Sequence, residues 1–350
     1  MSKVMIDERP YPVQITKAKG SKIDLHICWS LHNRCNFDCN YCPDYNKIGS
    51  EKWLTIDLAK QLIDQLTEHY VGKLGYKEIL LSFTGGEPTL WKGFKDLCLY
   101  ARGKGLRLGM TTNASVHPNY WIDFAKEFEW LAFSYQPQFV DDDRMMTTLK
   151  QFEKDPQVCL PAVRFSMMAD PVYWRKCLDF TDRMHLELNN YAYEYVHLQD
   201  DFGSNIVRQD YSAEQLRLLQ DTPQKYHKSY PDWIYEPSTY LQYSVTYSDG
   251  RELFLRSNDL INAGFTDFWG WTCYVGLESL FISYSGEIFR GGCKLGGVIG
   301  RVNEPQAIRF PLKPLVCTTH SCTCPTNIEI SKYAPEFLEK ANQGELLEHR

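Results

Sequence analysis

Apolar and polar residues alternate in six short stretches between residues 23 and 198, and helical patterns lie between these stretches. The predicted strands are Ile23–Leu31, Ile79–Thr84, Leu106–Asn113, Leu131–Gln136, Val163–Met168 and Tyr191–Leu198. The predicted helices include Ile56–Tyr70, Gly93–Gly103 and Val172–Met184. Repeated strand–helix units predict an α/β fold with a parallel sheet. Six units fit a partial (β/α)6 TIM-like barrel better than an open dinucleotide-binding sheet, because no GxGxxG motif follows the first strand.

One face of five predicted strands is polar. Parallel strands that are covered on both faces normally read as nearly continuous apolar runs. The polar positions are His26, Cys28 and Ser30; Ser82 and Thr84; Arg107, Thr111 and Asn113; Ser134 and Gln136; Arg164, Ser166 and Met168. This face predicts a barrel interior that binds a polar molecule. The alternative is an interior filled by polar side chains that hydrogen-bond to one another.

The pattern changes after residue 200. Ser212 to Gln215 forms a capping box that opens a helix through about Leu219. Two hairpins follow, Tyr240–Ser257 with its turn at Ser248 to Gly250, and Ser279–Arg290 with its turn at Ser285 and Gly286. We predict a barrel over residues 1–235, a small hairpin-containing domain over 236–330 and a helical tail over 331–350.

Composition narrows the function classes. The 350 residues are 43% hydrophobic and 23% charged, with no long apolar run and no signal-peptide layout, which predicts a cytoplasmic protein that does not enter a membrane. The net charge of −6 argues against nonspecific binding to nucleic acid. In a reducing compartment the twelve cysteines indicate metal or redox chemistry rather than structural disulfides.

Three cysteines stand close together in LHNRCNFDCNYCP, at Cys35, Cys39 and Cys42. Three thiolates in one loop could hold three corners of an iron–sulfur cube and leave one iron open, whereas a structural zinc site normally takes four ligands. TGGEP at residues 84–88 follows the second predicted strand. Its position makes a partial zinc site the weaker of the two interpretations.

The CxxxCxxC loop followed by TGGEP resembles the radical S-adenosylmethionine (SAM) enzymes. The resemblance implies that the open iron of a 4Fe-4S cluster chelates the amino and carboxylate groups of SAM. One electron from the cluster then cleaves the sulfonium, giving methionine and a 5′-deoxyadenosyl radical that abstracts hydrogen from a substrate. A flavodoxin- or ferredoxin-type reductant would supply the electron.

The resemblance also implies a set of SAM contacts. They are Tyr41, Gly85, Gly86, Glu87, Pro88, Asn113, Ser134 and Arg164. The two glycines would let the backbone approach the SAM amino group with no Cβ in the way. Tyr41 would lie beside adenine or simply pack over the loop, and Arg164 would pair with the SAM carboxylate or form a buried structural ion pair.

Five later cysteines stand in a run that looks like the auxiliary-cluster extension called SPASM, or its shorter twitch form. They are Cys273, Cys293, Cys317, Cys322 and Cys324. Five thiols favour one auxiliary 4Fe-4S cluster and the twitch form, with Cys273 and Cys293 at the ends of a hairpin. Cys322 and Cys324 are too close for two corners of one cube, so we expect Cys317 and at least one of that pair as ligands. A zinc knuckle that includes His320 is the alternative.

The other cysteines carry weaker signals. Cys98 and Cys177 fall inside amphipathic helices, where free cysteine usually acts as a small buried hydrophobe. Cys159 precedes the fifth strand, and we expect it to be inert. Cys28 shares the polar face and could donate hydrogen to a substrate radical, although packing explains it more simply.

The substrate class stays open between two hypotheses. The polar interior and the aromatic residues Tyr191, Tyr193, Tyr195 and Trp269 favour oxidation or epimerisation of a small sugar or cyclitol, although stacked aromatics are also ordinary core. The alternative is maturation of a ribosomally made peptide. The first cluster cysteine at position 35 leaves no room for a leader-binding domain before it, which weakens that alternative. A zinc-stabilised binding module without catalysis is a third, remote hypothesis.

Overall fold

The computed structural model describes residues 10–17, 23–50, 54–154, 163–189, 192–196, 198, 210–221, 225–226, 243–255, 260–261, 264–322 and 324–337. Its strands are β1 (Pro12–Lys17), β2 (Leu25–Ser30), β3 (Ile79–Thr84), β4 (Arg107–Thr112), β5 (Trp130–Tyr135), β6 (Val163–Met168), β7 (Ala192–Val196), β8 (Lys225–Tyr226), β9 (Tyr243–Tyr247), β10 (Glu252–Leu255), β11 (Thr272–Cys273), β12 (Ser279–Ile282), β13 (Glu287–Phe289), β14 (Val298–Arg301), β15 (Leu315–Val316) and β16 (Lys332–Tyr333). Its α-helices are α1 (Ile56–Thr67), α2 (Phe94–Gly103), α3 (Asp142–Lys154), α4 (Trp174–Glu187), α5 (Ala213–Asp221) and α6 (Pro325–Ile328).

Strands β2 to β7 pair in sequence order and in parallel, and form the centre of a ten-stranded sheet. Helices α1, α2, α3 and α4 connect successive strands, except that two short 3-10 turns replace a helix between β4 and β5. This is the predicted strand–helix array. The bounds of β3 and β6 agree with the sequence prediction, and the other four strands agree within two residues at each end.

The main hydrophobic core lies between these strands and their helices. On α1 the residues Ala59, Leu62, Ile63 and Leu66 recur at the spacing of one helix face, and all four are buried against the sheet. Thr55 caps this helix by accepting a hydrogen bond from the Leu58 backbone at 3.4 Å. A π-helical segment, Glu68–Lys73, continues α1.

The second predicted hairpin, β12 and β13, forms as expected but joins the barrel sheet. Strand β12 pairs in parallel with β2, and Phe281 lies opposite Cys28. The sheet order β14-β13-β12-β2 therefore covers what would otherwise be the open edge of the barrel. The later part of the chain is thus built directly onto the first barrel strand.

A second sheet has the order β10-β9-β1-β16-β11-β15. It contains the first predicted hairpin, β9 and β10, and the N-terminal strand β1, which the sequence pattern did not predict. Lys332 and Tyr333 form a strand of this sheet, so the prediction of a helical tail from residue 331 is wrong at that point. Residues 338–350 and the predicted boundary at residue 235 lie outside the described residues.

The capping box at Ser212 forms as predicted. Gln215 donates its backbone N–H to the Ser212 hydroxyl at 3.2 Å, and Ser212 donates its N–H to the Gln215 side chain at 2.8 Å. Among the described helices, none combines the length and the apolar character needed to cross a membrane.

Candidate functional site

The loop after β2 brings Cys35, Cys39 and Cys42 together. Cys39 is buried, and the other two are half-buried. Phe37 donates its backbone N–H to the Cys35 sulfur at 3.4 Å, and Cys42 donates its N–H to the Cys39 carbonyl at 3.1 Å. Burial raises the pKa of all three thiols, to about 12 for Cys39, and the neighbouring Cys35 adds to this effect at Cys39 and Cys42. The thiols therefore stay protonated until a metal displaces their protons.

Lys47 stabilises this loop, and sequence reasoning missed it. Its ammonium group donates to the Cys39 carbonyl at 3.1 Å and pairs with Asp38 at 2.6 Å. The pKa of Cys39 and Cys42 is raised mainly by burial, and the Lys47 charge opposes that rise. Lys47 therefore provides a positive charge where thiolate ligands would form. A lone lysine in the loop before the predicted helix gave no pattern from which this role could be predicted.

The GGEP stretch is joined to the base of the cysteine loop. Gly86 donates its backbone N–H to the His32 carbonyl at 2.8 Å, and Glu87 donates its N–H to the Arg34 carbonyl at 2.7 Å. A Cβ on Gly86 would lie 1.9 Å from the Arg34 carbonyl oxygen, and one on Gly85 would lie 2.5 Å from that of His32. The glycines are needed because the loop itself approaches them. Their predicted role, clearing space for the SAM amino group, stays a prediction beside this structural one.

Glu87 connects this stretch to the end of β4. Its carboxylate is 1% exposed and accepts hydrogen bonds from the Thr89 hydroxyl at 2.6 Å, the Thr112 hydroxyl at 2.8 Å and the Asn113 backbone N–H at 2.7 Å. Burial raises the pKa of this carboxyl, and these donors oppose the rise. The Asn113 amide then donates to Asn36 at 3.0 Å and lies 3.7 Å from the Cys35 sulfur. Two predicted SAM contacts thus meet the cysteine loop.

The loops after β5 and β6 contact the same cysteine loop. The Cys39 thiol donates to the Gln136 side chain at 3.6 Å, and the Asn40 backbone N–H donates to Gln138 at 3.1 Å. Gln138 in turn donates to Asp170 at 2.7 Å. Gln136 was assigned to the polar face from sequence, whereas Gln138 and Asp170 were missed because only the loop fold brings them near the cysteines.

The remaining predicted SAM contacts stand as follows. Ser134 lies buried at the end of β5, and Pro88 begins a 3-10 turn. The Tyr41 hydroxyl has its pKa raised by burial first and then by Cys39, with Asp170 also contributing. Arg164 pairs through its backbone with Ala132 and Ala192, and its side chain lies outside the described atoms.

The pairing register of β2 and β3 places polar residues of the two strands next to each other. Cys28 lies opposite Ser82, and Ser30 lies opposite Thr84. Arg107, which was also assigned to the polar face, pairs through its guanidinium with Glu78 at 2.5 Å and Glu129 at 3.5 Å near the amino ends of the strands. It is therefore committed to an ion-pair network.

The aromatic residues proposed to line the interior face elsewhere. The Tyr195 hydroxyl lies 2.9 Å from that of Thr181 on α4, and its ring stacks on Trp174. Tyr193 is buried in the helix-side core, and Trp269 is exposed and stacks on His320. The aromatic argument for a sugar substrate is wrong for these three residues, because they pack as ordinary structure. Tyr191 and Cys159 lie outside the described residues.

The five later cysteines gather at one side of the barrel. Cys273, Cys317 and Cys322 are buried in one hydrophobic cluster. Burial raises the pKa of Cys273, Cys293 and Cys322, to about 12 for Cys322, and other thiols of the group add to each shift. The pKa of Cys28 on β2 is raised to about 12, by burial and then by Cys324. Among the five later thiols, Cys324 is the one whose charge acts on Cys28.

Cys98 and Cys177 are fully buried on α2 and α4, as predicted for small hydrophobes. His320 is exposed and pairs with Asp267 at 3.0 Å. Among the described residues, no three His, Cys, Asp or Glu side chains converge on a point that one metal ion could occupy. In a cube each thiolate binds a different iron, so the ligands of a cluster stand apart from one another.

Residues 29–155, which contain the cysteine loop, GGEP, Asn113 and Ser134, match the model of the Radical SAM superfamily. This part of the chain is therefore similar to a radical SAM domain. Fe-coproporphyrin III synthase of Methanosarcina barkeri (strain Fusaro / DSM 804) is 32% identical over 130 residues, which are 37% of this chain and 30% of that protein. Sporulation killing factor maturation protein SkfB of Bacillus subtilis (strain 168) is 26% identical over 114 residues, 31% of this chain and 23% of that protein. The chain thus matches less than a third of the length of either relative.

The structure of native anSMEcpe with bound AdoMet resembles this chain with a TM-score of 0.50 at 14% identity, over 80% of this chain and 78% of that one. A likeness at this identity concerns the fold. Together with the strand order it supports a partial TIM-like barrel.

Proposed function

We propose that this protein is a radical SAM enzyme that binds a 4Fe-4S cluster through Cys35, Cys39 and Cys42. The observation that carries the proposal is the contact of this three-thiol loop with GGEP on one side and Asn113 on the other. When bound, the cluster would supply the electron that cleaves SAM to methionine and a 5′-deoxyadenosyl radical, which abstracts a hydrogen atom from the substrate. A flavodoxin- or ferredoxin-type protein is the reductant that we propose.

The chain's own residues would position SAM. The backbone N–H groups of Gly86 and Glu87 already donate to the loop, so the SAM amino group, itself a donor, would meet carbonyl oxygens of this stretch. Asn113 and Ser134 stand at the ends of neighbouring strands on the same side. Pro88, Tyr41 and Arg164 complete the proposed set.

We further propose a second, auxiliary 4Fe-4S cluster on Cys273, Cys293, Cys317 and Cys322. Three of these thiols share one buried cluster, and Cys293 has Cys317 and Cys324 among its neighbours. Cys324 is the fifth thiol, because it extends the group towards Cys28 and lies 3.0 Å from the Thr326 hydroxyl. This choice agrees with the expectation that Cys317 and at least one of Cys322 and Cys324 are ligands.

The proposed substrate lies in the barrel interior between the two thiol groups. Cys28 has Cys324 among its charged neighbours. From Cys28, three further residues of chain, about 10 Å of strand, lead to the start of the cysteine loop. Ser30, Ser82 and Thr84 give this space polar walls. These residues support a small polar substrate such as a sugar or cyclitol alcohol. The similarity to SkfB, whose name describes a maturation protein, supports a peptide substrate equally.

Loss of SAM cleavage in cysteine variants tests the class. Anaerobically reconstituted protein with dithionite and SAM should form 5′-deoxyadenosine, and the Cys35→Ala, Cys39→Ala, Cys42→Ala triple variant should form none above background. Cys98→Ala is the matched control, since it removes a buried thiol far from the loop and should retain the rate. A colourless protein that carries zinc, or an active triple variant, would overturn the proposal in favour of a binding module.

A further inference from the structure

Lys332 on β16 carries a buried ammonium group. The side chain is 1% exposed, and its three N–H donors reach the carbonyl oxygens of Asn327, of Ile328 at 3.1 Å and of Ile330 at 2.9 Å. The ring of Phe268 lies 5.2 Å from the nitrogen on another side. Lysine is rarely buried to this degree without a charged partner.

The group stands among the tail thiols. Lys332 lies directly opposite Cys273 in the antiparallel pair of β11 and β16, which sets their Cβ atoms about 5 Å apart on one face. The ring of Phe268, over which the ammonium group lies, packs in the same buried cluster as Cys273, Cys317 and Cys322. One cation therefore lies beside the cluster that contains three of the four proposed ligands.

No carboxylate lies within ion-pair distance of the Lys332 nitrogen among the residues that the structure describes. Lys17 on the neighbouring strand β1 differs from Lys332 in having a carboxylate partner. It too donates to two backbone carbonyls, of Ile23 at 2.8 Å and Asp24 at 2.7 Å, but it also has Glu278 at 3.8 Å. A buried cation surrounded by neutral thiols would be costly, and one beside thiolates bound to a cluster would be compensated.

We propose that Lys332 is the counter-ion of the auxiliary cluster, and that its charge raises the reduction potential of that cluster. The inference rests on the auxiliary cluster of the proposed function. A 4Fe-4S core with four thiolates carries net negative charge and gains one more negative charge on reduction, so a nearby cation stabilises the reduced form more than the oxidised form. Lys332 would thus help the auxiliary cluster to accept an electron.

The proposal is tested by potentiometric titration of both clusters in anaerobically reconstituted holoprotein, followed by electron paramagnetic resonance. Lys332→Met should lower the reduction potential of the auxiliary cluster. At a fixed applied potential the ratio of oxidised to reduced cluster should rise at least tenfold, which corresponds to about 59 mV for a one-electron couple. The SAM-binding cluster of the same molecule should not shift. Lys332→Arg, which keeps the charge, should stay near the wild-type value.

Lys17→Met is the matched control, since it removes a half-buried lysine from the same sheet away from the thiols. An unchanged auxiliary potential in Lys332→Met, or an equal shift in Lys17→Met, would overturn the counter-ion role while leaving the proposed function intact. Wild-type protein that holds iron for one cluster only would overturn the auxiliary cluster itself. If Lys332→Met does not fold, a shift in Lys332→Gln with none in Lys332→Arg supports the proposal, and equal potentials in these two variants oppose it.

Discussion

The Glu87 carboxylate holds together two stretches that carry candidate SAM contacts. It accepts hydrogen bonds from Thr89 beside it and from Thr112 and Asn113 at the end of the next strand. Asn113 in turn reaches the Cys35 sulfur at 3.7 Å. Glu87 therefore acts on the cysteine loop through Asn113. A glutamate in a GGEP motif could be assigned from sequence, but its partners lie on a different strand and became visible only in the fold.

Glu87→Ala should weaken the protein and the cluster together. Three buried donors would lose a charged acceptor, which we expect to cost about 2–4 kcal/mol of unfolding free energy. SAM affinity and cluster absorbance should both fall, measured by equilibrium binding and by the visible spectrum of reconstituted protein. Glu68→Ala, which removes an exposed glutamate paired with Lys73, is the control and should change neither. A Glu87→Ala variant with normal cluster absorbance but weaker SAM binding would show that Glu87 contacts SAM directly and does not support the cysteine loop.

At the scale of elements, the site is defined by the backbone hydrogen bonds that join the cysteine loop to the end of β3 and the GGEP stretch after it. Leu31 donates to the Thr84 carbonyl at 2.9 Å, and the next two bonds, from Gly86 and Glu87, lead from one motif to the other. The loop has little regular structure of its own. Its shape therefore depends on how closely GGEP can approach it, which explains why two glycines stand there.

Gly86→Ala should disrupt this contact although it leaves every cysteine in place. The new Cβ would lie 1.9 Å from the Arg34 carbonyl oxygen, so the loop must move, at a cost of about 1–3 kcal/mol. We expect a large loss of bound iron at the first cluster, measured by iron and sulfide content after reconstitution. Gly103→Ala at the end of α2 is the control, because a Cβ there meets nothing within 4 Å. Equal iron content in the two variants would contradict the proposed dependence.

Sequence patterns predicted the elements of the barrel well because each strand and helix has its own local periodicity. The hairpins at Ser248 and Ser285 were predictable for the same reason, since turn residues lie between alternating strands. Strand β1 and the pairing of β12 with β2 were not predictable, because a short strand chooses a distant partner that its own sequence does not specify. The roles of Lys47 and Lys332 depend on the same long-range contacts.

At the scale of the whole molecule, the later part of the chain completes the barrel sheet as well as carrying thiols. His26 donates its backbone N–H to the Glu278 carbonyl at 2.9 Å, and the ladder continues through β12 along β2. The structural contribution of this segment is thus separable from its cysteines. Removing the thiols and removing the segment should have different consequences.

The Cys273→Ser, Cys293→Ser double variant should fold and lose about half of its iron, because only one of the two proposed clusters depends on these ligands. It should still form 5′-deoxyadenosine slowly, since the first cluster is held by a separate loop, while turnover of the true substrate should vanish.

Deletion of residues 260–350 should behave differently from the double cysteine variant. It uncovers the backbone donors and acceptors of β2, so the shortened chain should aggregate or lose the first cluster as well. Iron content, solution size and 5′-deoxyadenosine formation, measured in parallel, separate the two effects. Full iron content in the double variant would show that these cysteines hold no cluster, and a soluble, SAM-cleaving deletion would show that β2 does not need β12 at its edge.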